Sequence, residues 1–72
     1  MKYAQRIREL REDKDLTQSD IAKHLQINQT VYSRYENDRN QMPIHHLISL
    51  CLFYNVSANY ILGLPDLPYP KR

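Results

Sequence analysis

Glycine occurs once in the chain, at Gly63, and no proline precedes Pro43. The segment before Pro43 therefore lacks both residues that normally punctuate hairpins and loops, and helix is the conformation left to it. Tyr3, Ile7 and Leu10 recur at helical spacing with Arg6, Arg8, Glu9 and Arg11 around them, which predicts an amphipathic first helix of about three turns. It should stop at Asp13-Lys14-Asp15. Thr17 followed by Asp20 reads as a capping box, with Asp in place of the better-fitting Glu, and opens a second helix through Ile21, Ala22 and Leu25. Gln26-Ile27-Asn28 suits only a tight turn into a third helix. Asn28 would cap that helix, which carries Val31, Tyr32 and Tyr35 and ends near Asn37-Asp38.

Pro43 sits at the expected N1 position of a fourth helix, whose Ile44, Leu47, Ile48, Leu50, Cys51 and Tyr54 predict the most buried helix of the fold. Ser57 caps a short fifth element holding Tyr60, Ile61 and Leu62, and Gly63 supplies its left-handed terminus. Beyond it, Pro65, Pro68 and Pro70 predict an extended segment. The expected organisation is thus an all-α, five-helix domain over residues 1–64 and a Pro-rich C-terminal tail over 65–72. At 72 residues there is no room for a second domain.

Several function classes fall away on chemistry. His24, His45, His46 and Cys51 are the only soft metal ligands, yet His45 and His46 point about 100° apart on a helix and Cys51 lies on the core stripe, so no metal site is expected. No nucleophile, base and orienting group come together, so neither catalysis nor a cofactor is expected. Cys51 alone forms no internal disulfide, and no apolar run suits a signal peptide or a membrane span, which places the expected chain in the cytoplasm. A formal net charge of +2 admits a polyanionic partner without demanding one.

What remains is the pair of short helices over Gln18 to Tyr35, joined by a tight turn. Ala22 is small enough to let two helices cross steeply, and Ile27, Tyr32 and Tyr35 are placed to pack beneath the second. The outward positions of that helix, Gln29, Thr30, Ser33 and Arg34, can all hydrogen-bond base edges, and no acid lies between Asn28 and Tyr35. Tyr32, Tyr35, Tyr54 and Tyr60 are read as core residues with their hydroxyls at the surface.

From Arg6-Ile7-Arg8-Glu9-Leu10-Arg11 through Leu16 to Ala22, Ser33 to Asn37, Ile44 to Leu50 and Tyr54 to Gly63, the chain resembles the phage-repressor and Cro-like helix-turn-helix family, also called XRE. The resemblance spans roughly residues 3–64 and implies a fold of the lambda-repressor-like DNA-binding type, with the motif formed by helices two and three. It also implies a small transcriptional regulator, most simply a repressor, that reads the major groove. It puts Gln29, Thr30 and Arg34, with Ser33, at base-reading positions, and has Val31 offer its methyls to thymine. Thr17, Gln18, Asn28, Asn37 and Arg39 fall at phosphate-contacting positions, and Arg11 with Glu36 becomes a structural ion pair between helices one and three. Asp15 and Gln26 stand where the family prefers glycine, and Asn40-Gln41-Met42 replaces a loop that is often basic.

The expected partner is a pseudo-palindromic double-stranded operator bound by two copies in a weak homodimer, in contact through Asn55 to Leu64 and the tail with Leu67 and Tyr69. Alternatives are the antitoxin of a toxin-antitoxin pair, with the tail binding a protein partner, an interaction module without DNA binding, and a phage excision or packaging accessory.

Overall fold

The structure is a computed structural model that describes residues 2–64. The tail with Leu67 and Tyr69 lies outside the described residues. Five helices follow one another: α1 (Lys2–Asp13), α2 (Gln18–Leu25), α3 (Gln29–Glu36), α4 (Ile44–Tyr54) and α5 (Ala58–Leu62). The all-α architecture matches the sequence-based expectation.

Helix starts follow local side-chain chemistry. Thr17 Oγ1 accepts from the Asp20 amide at 3.1 Å while Asp20 Oδ2 accepts from the Thr17 amide at 2.9 Å, a complete capping box. Asn28 Oδ1 accepts from the Thr30 amide at 2.7 Å, and Ser57 Oγ from the Tyr60 amide at 3.1 Å. Pro43 precedes α4 by one residue as its N-cap, rather than lying at N1, and its carbonyl accepts from the His46 and Leu47 amides.

Helix ends share one device. Asp15, Gln26, Asp38, Asn55 and Gly63 all adopt left-handed backbone, with φ between 55° and 71°. In each case the next amide reaches back five residues to a helix carbonyl: Leu16 to Arg11, Ile27 to Ala22, Arg39 to Arg34, Val56 to Cys51 and Leu64 to Asn59, at 2.9–3.1 Å. This is the Schellman closure. Only one of the five uses glycine.

Each helix drives one side chain completely out of water: Ile7, Ile21, Tyr32, Leu50 and Ile61. Tyr3, Ala22, Leu25, Tyr35, Leu47 and Tyr54 pack around them. Tyr3 also pins the segment between α3 and α4, its hydroxyl accepting from the Met42 amide at 3.1 Å and donating to the Asn40 carbonyl at 3.4 Å.

Two packing expectations are corrected. Helix α4 is not the most buried: His46, Leu47, Leu50 and Tyr54 face the core, but Ile44, Ile48, Leu52 and Phe53 are exposed. An eleven-residue helix that is apolar on most sides buries only the face its neighbours can cover. The tyrosines also divide. Tyr60 is exposed, with the Arg6 guanidinium 4.8 Å above its ring. The Tyr32 and Tyr54 hydroxyls, far from reaching the surface, are buried, that of Tyr32 beside the Glu36 carboxyl.

Candidate nucleic-acid interface

The motif rests on the α2–α3 contact. Ala22 is buried, and the Ile27 amide closes the turn on the Ala22 carbonyl at 3.0 Å, so the chain reverses where the two helices meet. A larger side chain there would push α3 outward. Tyr32, Tyr35 and Glu36 form the inner face of α3, and Val31 is half-buried against the core. On the outer face Gln29, Thr30 and Arg34 are exposed. Ser33 is half-buried, and its Oγ accepts from Asn37 Nδ2 at 3.3 Å.

Around this face, Thr17, Asn28, Asn37 and Arg39 are exposed at the ends of α2 and α3. The Thr17 and Asn28 oxygens are engaged as caps, leaving the Thr17 hydroxyl hydrogen and the Asn28 amide hydrogens to face outward partners. The Asp20 carboxyl is held below its ordinary range by the hydrogen bonds from Thr17, so it stays ionised as a cap.

One buried ion pair ties α3 to α1. Arg11 Nε donates to Glu36 Oε2 at 2.7 Å and Nη2 to Glu36 Oε1 at 3.0 Å, a bidentate contact, while Nη1 donates to the Leu16 carbonyl at 2.8 Å. Burial alone would raise the Glu36 carboxyl, yet Arg11, the Tyr32 hydroxyl and Gln18 together hold it below the usual carboxylate range. Arg11 is raised in turn by its hydrogen bond to Glu36. Burial beside this carboxylate pushes the Tyr32 hydroxyl far up and that of Tyr54 up to about 12, so both stay protonated. Arg11 and Glu36 are therefore brought together as a scaffold pair between α1 and α3.

Sequence reasoning missed that Gln18 belongs to the same network. Its Nε2 donates to Glu36 Oε1 at 3.1 Å across eighteen positions of sequence. No periodicity links residues that far apart; the available signal was only that both lie on the inner side of the motif. Gln18 is half-buried, and the second Nε2 hydrogen and the amide oxygen are the groups left to meet an outside partner.

Elsewhere, the His45 and His46 rings lie 4.1 Å apart although their positions diverge on the helix; His46 is buried and His45 exposed. Among the described residues no cluster of three His, Cys, Asp or Glu could hold a metal, and no helix is long and apolar enough to cross a membrane. Cys51 is half-buried, and burial raises its thiol.

Known proteins resemble this chain. The uncharacterized HTH-type transcriptional regulator YobD of Bacillus subtilis (strain 168) is 41% identical over 69 residues, covering 96% of this chain and 62% of YobD. The HTH-type transcriptional regulator ImmR of the same organism is 35% identical over 63 residues, covering 88% of this chain and 50% of ImmR. This chain thus spans between half and two thirds of the length of those relatives. The fold superposes on a transcriptional regulator from Listeria innocua with a TM-score of 0.85 at 19% identity, covering 96% of this chain and 64% of that one. A helix-turn-helix domain model matches residues 4–67, taking in all of α2, the turn and α3, and the chain belongs to the XRE-type helix-turn-helix family.

Proposed function

We propose that this domain recognises a specific sequence of double-stranded DNA in the major groove and acts as a small transcriptional repressor. One observation carries the reading. Gln29, Thr30 and Arg34 stand exposed on the face of α3 opposite Tyr32, Tyr35 and Glu36, and the single acid of α3 is turned inward onto Arg11. Gln pairs with adenine and Arg with guanine in bidentate fashion, each good pair contributing about 1–3 kcal/mol of discrimination. Thr30 and Ser33 add hydroxyls, and Val31 reaches a thymine methyl at the edge of the contact.

Thr17, Gln18, Asn28, Asn37 and Arg39 hold phosphates and set the register of α3 in the groove. One reading helix covers only a half-site, so two copies occupy a pseudo-palindromic operator with half-sites about 34–36 Å apart. The protein works in the cytoplasm, on the nucleoid when bound. Two relatives, both named HTH-type transcriptional regulators, support the regulatory reading.

Selection of duplexes from a random pool, followed by titration at several salt concentrations, tests this. An enriched palindromic motif is expected, with affinity falling as salt rises, by a log–log slope of about 0.9 for each phosphate neutralised. Binding without sequence enrichment would refute specific reading. No salt-dependent binding at all would instead favour an interaction module of the same fold.

A further inference from the structure

The core-facing side chains of α4, His46, Leu47, Leu50 and Tyr54, define one side of that helix. Ile44, Ile48 and Leu52 recur every fourth residue and form a separate stripe, turned roughly 145° from the core side at 100° per residue. Their exposures are 73%, 55% and 78%, so each aliphatic side chain is mostly in water. Together they leave the equivalent of about two whole aliphatic side chains uncovered, on the order of 300–400 Å², the size of the largest apolar patch on a typical monomer, which is often functional.

We propose that this stripe is where a second copy of the chain docks, α4 against α4. The proposal deepens the two-copy reading of the operator and rests on it. Charge selects the occupant. A two-fold contact brings a patch against itself, so any charge in it meets its own sign. Helix α4 carries no Asp, Glu, Lys or Arg along its eleven residues, on a chain of net charge +2 whose copies otherwise repel. Area selects the strength. Two such stripes with their polar edges bury less than about 1,200 Å² in total, which belongs to weak, transient pairs. A contact of that size forms where something else holds the two copies side by side, as adjacent half-sites do. The proposal places the contact on α4, where the sequence pointed to Asn55 to Leu64 and the tail.

Ile48 is the middle of the stripe, so a charge placed there faces its symmetry mate. The test uses the full chain as wild type, Ile48→Lys and Ile48→Glu, on a palindromic duplex selected by the wild type and on its isolated half-site, with circular dichroism confirming that both variants fold. Wild type should fill the palindrome cooperatively, within the roughly 5–150-fold range of ordinary coupling. Each variant alone should lose most of that cooperativity while the two shift half-site affinity only in opposite directions, as their charges dictate, and an equimolar mixture should recover it, because Lys then meets Glu. Recovery on mixing is not expected from a folding defect. Wild-type cooperativity retained in either variant, or no recovery in the mixture, overturns the proposal; the latter would assign the stripe to another segment or partner. Failure of the DNA reading is distinguishable: wild type would then bind neither duplex in a salt-dependent way.

Discussion

Gln26→Gly should stabilise the domain, although it removes a side chain and adds none. Gln26 sits at φ 59° and ψ 41°, in the left-handed region, at the α2 end of the turn. For a residue with a Cβ that conformation costs about 1–2 kcal/mol, because Cβ approaches the following carbonyl oxygen. Glycine removes the clash but gives the unfolded chain more freedom, a loss of about 0.4–1 kcal/mol. The Gln26 side chain is exposed, so nothing offsets the remaining gain of about 0.5–1 kcal/mol. At 4–8 °C per kcal/mol for a domain of this size, the melting midpoint should rise by about 2–8 °C. Asn55→Gly, at φ 56°, should gain less, since Asn tolerates the left-handed region better than Gln does. Thermal melts by circular dichroism at fixed pH compare both variants with wild type. An unchanged or lowered midpoint for Gln26→Gly would refute the claim that the turn carries strain.

Arg34→Ala should weaken binding to the selected operator by about 1–3 kcal/mol and relax preference at one base pair, whereas Arg39→Ala should weaken all duplexes alike and reduce the salt slope by about one; equal losses on cognate and random DNA for Arg34→Ala would remove it from base reading. Ala22→Leu should destabilise by about 1–3 kcal/mol, because the buried helix crossing cannot open to admit it, and a wild-type denaturation midpoint would show the crossing to be misassigned. Acid should destabilise in two steps. His46 is kept below its ordinary 6.5 by burial and by His45, so its contribution is full above that pH and is lost as pH falls through it; Glu36, depressed despite its burial, contributes above its ordinary 4.5 and loses that contribution below. His46→Gln should abolish the upper step of a melting-midpoint titration and leave the lower one; a profile flat from pH 7 to about 5 would contradict the His46 assignment, and one flat from about pH 5 to about 2 that of Glu36.

Helix starts were readable because capping is local: Thr17, Asn28 and Ser57 each satisfy amides two or three residues ahead, within reach of any reading of consecutive residues. Helix ends were harder, since four of the five left-handed closures use Asp, Gln or Asn and only Gly63 announces itself. A second signal was present in the apolar residue that follows four of them, Leu16, Ile27, Val56 and Leu64, because a Schellman closure turns that side chain back onto its own helix. Helix α4 was misread for a different reason. Counting apolar residues measures how much a helix would gain from burial, whereas actual burial depends on the area its neighbours present. The neighbouring helices cover only the side carrying His46, Leu47, Leu50 and Tyr54.

The same distinction between local and long-range information separates the parts of the candidate interface. Which residues of α3 face outward follows from its period alone, so the exposure of Gln29, Thr30 and Arg34 was readable, and only Ser33, drawn toward Asn37, departs from it. The network beneath them was not readable in that way. Arg11, Gln18 and Glu36 come from three helices and meet at one carboxylate, which a 3.6-residue period cannot show. That carboxylate constrains what the interface can do. Glu36 fixes the end of α3 against α1 and takes one Gln18 donor, so under the proposed reading a phosphate at the start of α2 would meet a Gln whose orientation is already set by α3. Replacing Glu36 would leave Arg11 buried without its partner, at a cost of about 3–5 kcal/mol, and would release Gln18 at the same time. Under the proposed reading, stability and phosphate contact are therefore coupled at this residue, and the two effects separate only in Gln18→Ala, which spares the ion pair.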